Sequence, residues 1–333
     1  MIRYGLCLAL GLSCGSAAAD YSAHPKAGEL LETLRSDYAF DVDALKTVRS
    51  ALVQAERVDK LIEQERTAPE RTWTWYDYRP IHVNPKNIEN GRAFVEKHRS
   101  TFDAAEQRWG VPGPVVAAIM GAETKYGGYT GPHRILDSLA TQGFDHPTRS
   151  RFFYSELVQY FVLCRELGMN PTEPKGSYAG AMGLSQFMPS NYRKLAVDFD
   201  DSGDVDLWTV DDAIGSTANY LVNYRGAGKG WRRGEAVLVA ARVSEPLPKS
   251  VKTNTKFTSS TIGKLAEAGI RPTIPLADDT PAGVIALEVA PGQMGYWIGL
   301  QNFYALMSYN PRTFYAMSVF ELSEAIANHD APR

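Results

Sequence analysis

Pro112–Gly128, PGPVVAAIMGAETKYGG, is the stretch that decides the fold. Pro112-Gly113-Pro114 suits a helix start, because proline fits a first turn whose N–H groups lack partners anyway. Val115 to Ala122 is apolar all round, so the helix is expected to be buried on every side. Its end is expected near Tyr126-Gly127-Gly128, where glycine takes a left-handed closing conformation. Glu123 falls in the last turn. Desolvation and the negative end of the helix dipole both disfavour its charged form there. A carboxylic acid kept neutral near pH 7 is the proton donor that glycosidic cleavage requires. The plain alternative is a glutamate that merely reaches solvent at a helix end.

The second informative stretch is Gly176–Pro189, GSYAGAMGLSQFMP. Its small residues allow backbone to approach a ligand closely, and Ser177 and Gln186 offer hydrogen bonds to hydroxyl or amide groups. A tight structural turn is the competing reading. Residues 177–183 are not expected to be regular helix.

The third is Asp198–Asp206, DFDDSGDVD. Asp198, Asp200 and Ser202 occupy positions one, three and five of an EF-hand loop. Gly203 supplies the sharp turn, and Asp204 would donate its backbone carbonyl. Thr209 stands where such a loop carries a bidentate glutamate, so the ordinary motif fails. An acid-rich turn capping the next helix is the alternative.

Around these stretches the chain reads as mainly helical. Helical periodicity covers residues 27–68, with Leu30, Leu31 and Leu34 at helix spacing. WTWYDYRP, residues 73–80, reads as aromatic-rich and irregular. Proline at 85 breaks the chain before one helix over 87–109. Further helices are expected at 134–140, 149–167, 191–196, 212–224 and 313–328, with a short helical region in 251–268. Residues 284–289 read as a strand.

The totals narrow the class. The 333 residues can bury a large core. There are 35 basic and 38 acidic residues, a net charge of -3, and no basic run, so a nucleic-acid partner is not expected. The six histidines are unclustered, which argues against a catalytic zinc. Met1-Ile2-Arg3, an apolar run over 5–12 and Ala17-Ala18-Ala19 form a signal-peptide pattern too short to span a membrane. Cleavage after Ala19 is expected, with lipid attachment at Cys14 as the alternative. Cys164 would then be the one internal cysteine, buried and inert.

Together Gly121–Gly127, Arg134–Thr141 (RILDSLAT), the glycine-rich segment, Ala196–Phe199, Asp212–Ser216, Asn302-Phe303-Tyr304 and Tyr309-Asn310 resemble the membrane-bound lytic murein transglycosylase B family. The resemblance runs roughly from Trp75 to Ala327. It implies a mainly α (α+β) fold with a lysozyme-like catalytic core and added helical and small β elements. The expected organisation is a signal peptide over 1–19, a helical region over 20–110, the core with its calcium-type loop over 111–235, and an α+β segment over 236–333 completing the cleft.

The resemblance also implies a reaction. Such enzymes cut the β-1,4 bond between N-acetylmuramic acid and N-acetylglucosamine in peptidoglycan without water, leaving 1,6-anhydro ends. Glu123 would be the one catalytic carboxylate, assisted by the substrate's acetamido group, where most glycosidases need two. Asp137 and Asp145 are assigned structural roles. Ser177, Gln186, Tyr220, Tyr309, Asn310 and Tyr315 would line the sugar cleft, with Tyr78 and Arg149 as further contacts. Phe152 stands where the family often has tyrosine. Asp212 matches the last ligand of the family's longer loop, so Asp198, Asp200, Ser202, Asp204 and Asp212 would hold a structural Ca2+, with no organic cofactor. A periplasmic monomer acting on peptidoglycan glycan strands is expected, with other cell-wall enzymes as further partners. A hydrolytic muramidase and a catalytically silent glycan-binding scaffold are the rival readings.

Overall fold

The apolar run forms the helix Gly113–Thr124 of a computed structural model that describes residues 20–62, 73–226, 228–244 and 246–328. The signal-type segment 1–19, with Cys14, and the stretch 63–72 lie outside the described residues. The helix ends earlier than glycine placement suggests. Lys125 and Tyr126 both take left-handed backbone, at φ 52 and φ 60, each against a steric cost of about 1–2 kcal/mol. Tyr126 offsets that cost through position. Its ring lies where a Cβ on Gly121 would stand, 2.6 Å away, and its hydroxyl donates to the Asn87 carbonyl at 2.7 Å.

Three apolar clusters organise the chain. The first surrounds the Glu123 helix, joining Val116, Ile119 and Met120 to Phe102, Phe303, Tyr315 and Val319. The second packs the N-terminal helix Pro25–Tyr38 against Ile135–Asp145 and Ser150–Glu166 through Leu30, Leu34, Leu139 and Phe161. Cys164 is buried in it, and burial pushes its thiol up to about 12, in keeping with an inert role. The third underlies a sheet and includes Val239, Ile270, Val284 and Ile298.

Several boundaries differ from the sequence reading. The helical stretch from 27 divides into Pro25–Tyr38 and Val42–Gln54 because Ala39 turns left-handed and Asp41 caps the second helix. The expected helix over 87–109 is two, Pro85–Lys97 and Arg99–Trp109, parted at His98. Residues 73–80 are not irregular: Trp75–His82 is a helix capped by Thr74, with Pro80 inside it. The proline leaves without a partner N–H only the carbonyl of Tyr76, an exposed residue. The helices expected at 191–196 and 212–224 are Pro189–Leu195 and Val210–Asn223, and the last is Thr313–Ala327.

The β structure is larger than expected. A two-stranded ribbon pairs β1 (His133–Arg134) with β2 (Lys175–Gly176). A five-stranded antiparallel sheet has the order β4-β6-β7-β3-β5. It comprises β3 (Leu238–Val243), β4 (Ser260–Thr261), β5 (Ile270–Pro272), β6 (Pro281–Ala290) and β7 (Gln293–Gly299). The expected strand over 284–289 is the middle of β6, and the helix within 251–268 is confined to Ile262–Glu267. From this sheet the chain passes through Gln301–Tyr309 and Thr313–Ala327 back onto the Glu123 helix.

Candidate active site

Glu123 lies at the floor of a groove of about 370 Å³, lined also by Tyr129, Gly131, His133, Ser177, Tyr178 and Gln186. It is the one carboxylate among the lining residues. Protein walls the carboxyl closely, while the groove leaves the residue partly open to solvent. That desolvation pushes Glu123 up to about 7, and the hydrogen bond from Tyr315 pulls the other way. Near neutral pH the acid is therefore poised between its protonated and its charged form.

Tyr315 comes from the closing helix Thr313–Ala327 and donates to Glu123 Oε1 at 2.7 Å. Tyr309 stacks on Tyr315 at 6.5 Å and 8° between rings. Its own hydroxyl donates to the carbonyl of Ser185, tying the end of the helix Gln301–Tyr309 to the glycine-rich loop. Tyr220 packs 4.6 Å from Tyr309 and donates to the Ser308 carbonyl at 2.8 Å. These two phenols are thus spent on protein carbonyls.

The glycine-rich loop is held by its own residues. Ser177 Oγ accepts from the N–H groups of Ala179 at 3.2 Å and Ala181 at 3.0 Å, which leaves its proton for a ligand. Gln186 takes left-handed backbone at φ 50 and donates to the carbonyls of Thr130 and Gly183; its amide oxygen has no partner among the described residues. Thr124, next to the acid, has its buried hydroxyl 3.1 Å from the carbonyls of both Met120 and Leu184. It fastens the loop to the helix end.

The remaining expected contacts, like Tyr220, Tyr309 and Tyr315, are not among the residues that line the groove. Tyr78 is buried against Phe314 with centroids 5.4 Å apart and shares a 3.3 Å hydrogen bond with His82. Asn310 caps the helix Gln301–Tyr309, and its carbonyl accepts from Arg312 N–H at 2.7 Å. Arg149 places its guanidinium over the rings of Phe152 and Phe153 at 5.0 and 4.9 Å. Tyr129, His133 and Tyr178 line the groove, and the sequence reading missed them. His133 adjoins the Arg134–Thr141 motif, the one signal that could have raised it.

The two nearby aspartates are engaged elsewhere. Asp137 accepts from Arg134 and from the Glu56 backbone N–H. Asp145 accepts from Tyr21 at 2.7 Å. Their structural assignment fits these bonds.

In the acidic turn, carboxylate oxygens of Asp198, Asp200 and Asp212 lie within 4.8 Å of one another. Asp198 accepts from the N–H groups of Ser202 and Gly203, and Asp212 from those of Phe199 and Asp206. Burial raises the Asp212 carboxyl, and the neighbouring charges of Asp200 and Asp198 add to this. An all-oxygen set with close like charges suits a hard divalent cation. Ser202 and Asp204 lie on the same turn, the serine hydroxyl donating to Asp204 Oδ1 at 3.0 Å.

A lysozyme-like α+β frame with one buried acid at the floor of a groove is the architecture of a glycan-cleaving enzyme. The chain belongs to the transglycosylase SLT domain family, whose model matches residues 31–324. It is 37% identical over 318 residues to membrane-bound lytic murein transglycosylase B of Escherichia coli, covering 92% of this chain and 84% of the relative. The catenated lytic transglycosylase SltB1 of Pseudomonas aeruginosa superposes with a TM-score of 0.85 at 35% identity, over 92% of this chain and 98% of that one. The Escherichia coli lytic transglycosylase SLT35, solved in complex with calcium, gives 0.81 at 35% identity, over 94% and 96%. The chain is a lytic transglycosylase.

Proposed function

We propose that this enzyme cleaves the β-1,4 bond between N-acetylmuramic acid and N-acetylglucosamine in peptidoglycan, with Glu123 as its acid and base. The observation that carries this reading is the single carboxyl among the residues lining the groove, desolvated by its surroundings and held by Tyr315 at 2.7 Å. Glu123 gives its proton to the glycosidic oxygen as the bond from the anomeric carbon breaks. The substrate's acetamido group stabilises the electron-poor carbon. The carboxylate then takes the proton of the muramic acid C6 hydroxyl as that oxygen bonds to the same carbon. The product is a 1,6-anhydro end, and Glu123 is again neutral.

Ser177, Gln186, Tyr220, Tyr309, Asn310 and Tyr315 are assigned to the sugar cleft, with Tyr78 and Arg149 as further contacts. The organisation into regions 20–110, 111–235 and 236–333 is supported by Tyr309 and Tyr315, which come from the last region yet sit at the Glu123 helix. Asp198, Asp200 and Asp212, with Ser202 and Asp204, are assigned to a structural Ca2+. The solved calcium complex of SLT35 and the oxygen cluster here both support this. The signal pattern at 1–19 supports a periplasmic location; among the described residues no helix is long and apolar enough to cross a membrane.

Mass spectrometry of digested peptidoglycan tests the reaction: anhydro ends weigh one water less than the reducing ends a muramidase would leave. Glu123→Gln should abolish digestion. A variant that digests sacculi like the wild type would show that the acid is elsewhere.

A further inference from the structure

A second cavity, of about 240 Å³, opens between the helices Val42–Gln54 and Ser150–Glu166, walled by Phe40, Val48, Phe161, Cys164, Met169 and Pro171. It shares no lining residue with the Glu123 groove. All of these wall residues except Met169 are buried, and they are fixed before any ligand arrives. Met169 N–H bonds the Cys164 carbonyl at 2.8 Å, and the Pro171 carbonyl accepts from the Tyr160 hydroxyl at 2.7 Å. Packed interiors leave few voids larger than a water molecule. An apolar cavity of about 150 Å³ already takes up benzene.

The polar groups decide which ligand fits. Thr47 turns its hydroxyl back onto the Asp43 carbonyl at 3.2 Å, and burial keeps the Cys164 thiol protonated. The one charged side chain on the lining is Arg165. Its guanidinium lies over the Phe40 ring at 4.0 Å and gives an N–H to the Tyr38 carbonyl at 2.9 Å. It makes no ion pair among the described residues. The acids near it in sequence and on the facing helix are engaged, Glu166 with Arg193 and Asp43 with Lys46.

An apolar slot with a guanidinium at its side complements an aliphatic chain that ends in a carboxylate. Scaled from benzene, the volume holds roughly eight to ten carbons. Beyond the leader the chain offers no substitute for such a tail: EQERTAPERT at 63–72 and HDAPR at 329–333 carry no apolar side chain larger than proline. We propose that this cavity is a binding site for a medium-chain fatty acid, its tail between the two helices and its carboxylate on Arg165.

Titration calorimetry of the mature protein with sodium hexanoate, octanoate, decanoate and tetradecanoate tests the site. Affinity should rise about three- to fourfold with each added CH2 and level off near ten carbons, where the cavity is full. Octanoate should bind about three- to fivefold more tightly than octanol, and Arg165→Gln should remove that advantage without altering octanol affinity. Val48→Phe, which fills the cavity, should abolish binding at every chain length. Cys164 supplies a readout that needs no variant, since it is the one cysteine after the leader: saturating decanoate should slow its reaction with an uncharged alkylating reagent at least tenfold. Absence of decanoate binding at millimolar concentration overturns the proposal. So does affinity that keeps climbing from decanoate to tetradecanoate, equal affinity for octanoate and octanol, or Cys164 reactivity that decanoate leaves unchanged.

Discussion

Glu123 can be neutral at pH 7 because burial outweighs the one hydrogen bond that favours its charge. The sign of the linked stability follows. Its carboxyl titrates at about 7 in the fold against 4.5 ordinarily, so between those values the unfolded chain releases a proton that the folded chain keeps. Stability therefore falls as pH rises through that window and stays lowered above it. Glu123→Gln keeps an acceptor for Tyr315 and has no charge to bury. It should melt like the wild type near pH 4 and be more stable by about 1–3 kcal/mol above pH 7. Thermal melts across pH 4–8 read this, and a gap that shrinks with rising pH would refute it. Activity should decline above about pH 7 as the proton donor is lost. Tyr315→Phe removes the bond that favours the carboxylate, so the alkaline limb of the pH–rate profile should move upward, by about one unit. A limb that stays in place would show that the phenol does not tune the acid. At this scale the acid was half legible: the all-apolar run placed Glu123 at the end of a buried helix, and the glycine-rich stretch with the family resemblance singled it out from a glutamate that merely reaches solvent. Tyr315 was not readable from pattern: it is 192 positions away, and only family resemblance singled it out.

At the scale of elements, the contact that matters most is between the Glu123 helix and the glycine-rich loop. Thr124 makes it with one buried hydroxyl, bonded toward Met120 and Leu184 and accepting from Gly127 N–H at 3.1 Å. Thr124→Val keeps the shape and deletes the bonds. It should cost about 1–3 kcal/mol by chemical denaturation and reduce turnover, with Thr124→Ser restoring both. A neutral effect on stability would mean that the loop is held elsewhere. Elements of this kind were unevenly legible. Proline and aromatic crowding in WTWYDYRP suggested irregular chain, yet the Thr74 cap and burial of Trp75 and Tyr78 against the core carry a helix through Pro80. The sheet was mostly missed because β4 and β5 are two and three residues long. Such strands have no alternation to detect, whereas β3 carries an apolar run over 236–241, AVLVAA, that the reading left unassigned.

On the scale of the whole molecule, residues far apart in sequence converge on one helix end, and the acidic turn sits beside that convergence. Leu184 N–H bonds the Leu207 carbonyl at 2.7 Å, and a Cβ on Gly183 would collide with Leu207, so the glycine-rich loop leans on the turn. Ser185, in the same loop, donates to the Ala213 carbonyl of the helix that carries Asp212. Without a cation, three carboxylates whose oxygens lie within 4.8 Å of one another repel. A bound Ca2+ at a hundredfold excess over its Kd would stabilise the fold by about 2.7 kcal/mol, several degrees in a chain of this size. EDTA should therefore lower the melting temperature, and added Ca2+ should restore it. Asp198→Ala also removes bonds to the Ser202 and Gly203 N–H groups, so its own melting point will drop for reasons unrelated to metal. The decisive quantity is the difference made by EDTA, which should vanish in Asp198→Ala. An EDTA response that persists in the variant would place the ion somewhere else, and a wild-type curve indifferent to EDTA would remove it from the molecule.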